Sequence, residues 1–174
     1  MGLTDSYSKN YEFVTFKELM RIEQKCVKWR YRIKENTDRL CQVHGDFHPW
    51  NILFKEGIEF RVLDRSRGEW GEPADDVTSM TMNYLFYSLL AHNNIEGAFL
   101  ELFNLFWESY LTETQDYEIL SMVAPFYAWR CLVLASPIWY PELNQSIRKK
   151  LFNFIHNVLA EEKFDLKKVP GMFE

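Results

Sequence analysis

Nowhere in this chain do about 18 apolar residues run together, and its first ten, MGLTDSYSKN, lack the apolar core of a secretion signal. Neither a membrane span nor export is expected. Cysteine is scarce: Cys26, Cys41 and Cys131 are odd in number, widely spaced and form no CxxC, which excludes a disulfide framework and a zinc knuckle. A reducing, cytoplasmic setting is the expectation. There is no basic stripe either; with a net charge of −5 and interleaved signs, a nucleic-acid surface is excluded and a cationic small substrate mildly favoured. Glycine is sparse as well, and none of the 7 falls in a GxGxxG or GxxxxGK[ST] phosphate cradle. Met1-Gly2 followed by Ser6 matches a myristoylation start only as a short, incidental pattern.

What is abundant is aromatic. Fourteen Phe, 9 Tyr and 6 Trp in 174 residues, within a 47% hydrophobic composition, predict one globular domain with a bulky core. A chain of this length buries roughly 70% of its unfolded surface, so it needs no metal or disulfide to stay folded.

Local signals order the elements. Thr15 and Glu18 make a T-x-x-E capping box, and the Gly- and Pro-free stretch to Gln42 predicts a long amphipathic helix burying Leu19, Ile22, Cys26, Trp29 and Ile33. A hairpin follows, Ile52 to Phe54 returning through Glu59 to Leu63, with a two-residue loop at Gly57-Ile58 of type II′. Residues 64–74 read as a loop. Helices are expected over 76–92, 96–111, 116–135 and 144–161, broken at Asn93-Asn94 and Pro137–Pro141. The charged tail after Glu161 is expected to fray. The phenylalanine-rich stripe Phe99, Phe103, Phe106, Trp107, Tyr110 reads as core, as do Phe126, Tyr127, Trp129 and Trp139. Asp75-Asp76 reads as an N-cap signature.

The chemistry concentrates in VHGDFHPWNILF, residues 43–54. With the turn centred between Gly57 and Ile58, paired residues sum to 115, so Asn51 is expected opposite Asp64 with Cβ atoms about 5 Å apart. A carboxylate and an amide oxygen with no thiol nearby are hard ligands suited to Mg²⁺ completed by water and phosphate oxygens. Asp46 precedes Asn51 by five positions, as His44-x-Asp46-x-x-x-x-Asn51, the spacing of the kinase catalytic loop HRDxxxxN. Two other readings compete. His44, Asp46 and His48 could ligate metal in a binuclear hydrolase, or Asp46 could cap a turn while the imidazoles merely satisfy backbone carbonyls. Trp50 could pack beneath the loop or face a substrate; Arg65 and Arg67 could grip phosphate or pair in solvent with Glu69 and Glu72.

HGDFHPWNILF, RVLDRS and GEPADDV in that order resemble the C-terminal lobe of the aminoglycoside phosphotransferase and choline kinase superfamily, whose pattern runs HGDxHxxN, a strand ending in Asp, then GDPxxD. The resemblance covers residues 43–77. It implies an α+β, mainly helical, kinase-like lobe: lead-in 11–42, catalytic loop and hairpin 43–75, bundle 76–162, tail 163–174. It implies ATP-dependent phosphoryl transfer to a small-molecule hydroxyl, with Asp46 as catalytic base, Asn51 and Asp64 holding the Mg²⁺ of Mg·ATP, and His44, His48 and Asp76 in support. The family's acceptors include aminoglycosides, choline, sugars and homoserine; the acidic charge leans toward an amine-bearing one. Arg65 after Asp64, and Glu72 in the Asp position of GDP, depart from the pattern. The larger departure is the expected absence of the glycine-rich nucleotide lobe before the motif. That leaves a truncated enzyme, a partner-supplied lobe, a homodimer through the face the missing lobe would cover, or a non-catalytic interaction module.

Overall fold

The computed structural model describes residues 3–8, 10–65 and 69–174, in an α+β fold of five helices and two small antiparallel sheets. Helix α1 spans Phe16–Lys34 and starts as expected: Glu18 N–H donates to Thr15 Oγ1 and Thr15 N–H to Glu18 Oε2 (3.3 and 2.8 Å). It ends eight residues short of Gln42. Asn36 turns its side chain back onto Arg32 O (2.8 Å), a 3₁₀ turn covers Thr37–Arg39, and Cys41–Gln42 becomes strand β1. Asn, Thr and Asp compete with the helix for backbone hydrogen bonds, which is why the helix stops there. Leu19, Ile22 and Trp29 are buried as expected, whereas Cys26 and Ile33 are half-buried.

Strands β2 (Ile52–Phe54) and β3 (Phe60–Val62) form the hairpin, and β4 (Trp70–Gly71) pairs with β1 where a loop was expected. Gly71 has no room for more than hydrogen: an added Cβ would lie 2.9 Å from a Val43 methyl. The hairpin register differs from the expectation by one residue. Lys55 N–H donates to Glu59 O (2.8 Å), closing a three-residue loop around Gly57 (φ 71°) in place of the two-residue one. Partners therefore sum to 114, as in Ile52 with Val62, and Asn51 lies opposite Leu63, not Asp64. One residue of loop length is enough to change every pairing.

Helices α2 (Ala74–His92), α3 (Gly97–Thr114), α4 (Ala124–Leu134) and α5 (Gln145–Val158) make the bundle. The expected helix over 116–135 is divided: Tyr117–Ser121 is 3₁₀ and α4 starts afresh with Pro125 in its first turn, where a missing N–H costs nothing. The buried Tyr127 hydroxyl joins three helices, meeting Thr81 Oγ1 at 2.6 Å and accepting from Trp107 Nε1 at 3.2 Å. Burial pushes its phenol well above its ordinary value.

The tail does not fray. Phe164, Val169, Met172 and Phe173 are buried, Phe173 stacks on Phe154 at 4.5 Å, and Phe164 N–H donates to Leu120 O. Their apolar side chains alternate irregularly with charges, which hid them from any periodic reading. Among the described residues no helix is long and apolar enough to cross a membrane.

Candidate functional site

The loop of residues 43–51 is held from two sides. From α2, the Asp76 carboxylate accepts the N–H groups of His44 (2.6 Å) and Gly45 (2.8 Å). Two successive N–H groups can face one carboxylate because Gly45 takes φ 84°, a conformation that strains any side chain. Asp75, by contrast, caps nothing. Pro73 holds the N-cap position, and Asp75 accepts from Arg130 Nη2 at 2.7 Å.

From within, His44 braces the loop with both ring nitrogens. Asp46 N–H donates to Nδ1 (3.2 Å), so the ring proton sits on Nε2 and is donated to Leu63 O (2.7 Å). That second bond ties the loop to the end of β3. A histidine with both nitrogens committed to backbone is not a metal ligand, which removes the His44-Asp46-His48 set of the hydrolase reading. Among the described residues no three His, Cys, Asp or Glu converge as a ready metal cluster.

Asn51 closes the loop. A 3₁₀ turn at Pro49–Asn51 brings its Nδ2 to Asp46 O (3.0 Å), and spending the amide nitrogen this way presents Oδ1 as the remaining side-chain ligand. Leu63 N–H donates to Asn51 O (2.8 Å), so Asp64 is the next residue beyond the pair. Asp64 is exposed and takes φ 57°, the left-handed region that a non-glycine residue enters at a cost. Alternation alone would send its side chain to the far face from Leu63; the left-handed backbone breaks that alternation. The oxygen donors of Asn51 and Asp64 suit a hard divalent cation that keeps several waters.

Asp46 faces the bundle. Its carboxylate lies 3.8 Å from His48 Nε2 and 3.8 Å from Arg130 Nη1 of α4. All three line a cavity of about 610 Å³ between the loop and helices α2 and α4. Trp50, 73% exposed, stands at its rim, so it faces the cavity and is not packed beneath the loop. Trp129 and Trp139, expected in the core, are 41% and 65% exposed and line the same cavity. Trp129 lies on the side of α4 away from the buried Tyr127 and Cys131; Trp139 sits in the proline-bounded loop before α5. That loop is fixed from below by the buried Arg148, which donates to Ala135 O, Tyr140 O and Leu143 O.

Beneath β1 and β4 lies an ion cluster that sequence spacing did not reveal. Arg39 bonds Glu72 (2.8 Å) and Asp116 (2.7 Å), with Arg39 and Glu72 side chains 7% and 5% exposed. Glu72 is therefore not a solvated partner of the nearby arginines. Arg65 instead donates from Nε to Val43 O (3.1 Å), while Arg67 lies outside the described residues. The Arg39 hydrogen bond holds the Asp116 carboxyl below its ordinary range.

No family model, curated protein or solved structure matches the chain.

Proposed function

We propose that this chain is the helical lobe of a small-molecule phosphotransferase of the aminoglycoside phosphotransferase and choline kinase type. The observation that carries the reading is Asp46: a braced loop holds its carboxylate at the mouth of a ligand-sized cavity, with Asn51 bonded to its backbone. Asp46 would orient the acceptor hydroxyl and take its proton as the oxygen attacks the γ-phosphorus of ATP, with ADP departing. Asn51 Oδ1 and the Asp64 carboxylate would hold Mg²⁺, which supplies charge neutralisation to the phosphate oxygens. Asp76 and His44 keep the loop rigid, so that the geometry is set before substrate arrives. The acceptor is a small hydroxyl compound; a nucleotide-binding lobe is expected from outside these residues.

Asp46→Asn tests the assignment. Transfer of labelled phosphate from Mg·ATP to an alcohol should fall by about 10²- to 10⁴-fold, with nucleotide binding nearly unchanged. Equal rates in the two proteins remove Asp46 from the chemistry.

A second reading, a non-catalytic interaction module, is favoured by one feature. The hairpin presents Phe54, Ile58 and Phe60 at 71, 92 and 59% exposure, an apolar face suited to a covering lobe, a second copy or a partner. A wild-type chain that binds ligand in the cavity, yet transfers no phosphate at saturating Mg·ATP, supports that reading.

A further inference from the structure

The cavity beside Asp46 has walls that select its ligand. Trp129 and Trp139, with Trp50 at the rim, put three of the chain's 6 tryptophans around one 610 Å³ space. Exposed indoles around a concavity offer flat faces for stacking, and they lose little conformational entropy when a ring covers them. Polar groups gather at one end: Asp46, His48 and Arg130. Two of their nitrogens, His48 Nδ1 and Arg130 Nε, are buried with no hydrogen-bond partner among the described residues. Unpaired buried nitrogens await an oxygen from a ligand or water.

Charge decides the class further. Asp46 and Arg130 are the formally charged side chains among the described lining residues, 3.8 Å apart, one of each sign. A polyamine would need several carboxylates to replace its lost solvation, and the wall has one. Aromatic walls alone would also suit a quaternary ammonium, but the guanidinium in this wall opposes a cation. Resting on the phosphotransferase reading, we infer that the acceptor is an uncharged, ring-bearing alcohol. Its flat face stacks on Trp129 and Trp139, and its hydroxyl oxygen lies among Asp46, His48 and Arg130. This replaces the amine-bearing acceptor that net charge alone would favour.

Direct binding to the whole chain, without nucleotide, tests this by calorimetry and tryptophan fluorescence. Phenyl β-glucoside carries both an aryl and a sugar face, 2-phenylethanol only the first and methyl β-glucoside only the second; choline and kanamycin are the cationic probes. Phenyl β-glucoside should bind and quench tryptophan, and whichever single-face probe retains more of the affinity names the ring. Trp139→Ala should weaken binding about tenfold and Trp139→Phe by less than about threefold, stacking being kept. Circular dichroism melts that match wild type show that the variants fold. Tighter binding of choline or kanamycin, no binding of any ring-bearing alcohol at millimolar concentration, or equal binding by Trp139→Ala overturns the inference. Binding of ring alcohols without phosphate transfer keeps the ligand class and counts against the enzyme reading. Transfer to choline alone does the reverse.

Discussion

The bundle and the loop-hairpin are stabilised in opposite ways. In the bundle, large side chains such as Trp107, Tyr127 and Phe154 are fully buried, and the few polar groups inside them are paired. In the loop and hairpin most side chains are exposed or half-exposed, and order comes from specific hydrogen bonds: Asp76 to two N–H groups, His44 to Leu63, Asn51 to Asp46. Packing gives the bundle its stability, while directional bonds give the loop its geometry. Left-handed Asp64 belongs to the second regime, where strain is tolerated for the sake of a ligand's position.

Substitutions should therefore separate stability from binding. The largest stability effect is expected at Arg39, which Glu72 and Asp116 surround. Arg39→Met should cost about 3–5 kcal/mol in urea unfolding, since it leaves buried carboxylates uncompensated. The same cluster sets an acid limit. Because Asp116 titrates below its unfolded value near 4, its contribution is complete above about pH 4 and lost as pH falls lower. A stability curve flat from pH 6 down to pH 2 would contradict this. Phe173→Ala should cost about 3 kcal/mol, despite lying next to the last residue, because its ring stacks on Phe154 in the core. Thr15→Ala, which removes one half of the capping box, should cost about 1 kcal/mol and leave ligand binding alone. Smallest of all, Asp64→Gly should move stability by less than about 0.5 kcal/mol, left-handed strain relieved against chain entropy gained, yet abolish metal binding. A bundle variant that loses binding while keeping its stability would blur the distinction.

How much of this was legible in the sequence follows the same division. The capping box, the break at Asn93 and the helical identity of the bundle are local signals, and the structure carries each of them. The composition of the loop, His44 through Asn51, was readable because its residues are neighbours in the chain. The hairpin register was not, because it turned on one hydrogen bond, Lys55 to Glu59, that decides between loops of two and three residues. Arg39 with Glu72 and Asp116 was invisible for a different reason: the partners lie 33 and 77 residues away and meet only after the bundle forms. The indoles of Trp129 and Trp139 looked like core by type. Only packing shows which side of α4 each residue faces.

The central claim is that the braced loop and the end of the hairpin form one divalent-cation and phosphate site. Paramagnetic broadening by Mn²⁺, titrated with ATP into isotope-labelled chain and followed by NMR, tests it most directly. The account predicts that the Asn51 side-chain amide and the Asp64 backbone amide broaden first, before any bundle resonance, and that Asn51→Ala abolishes the effect at Asp64. Broadening that is uniform, or centred anywhere else, would contradict it.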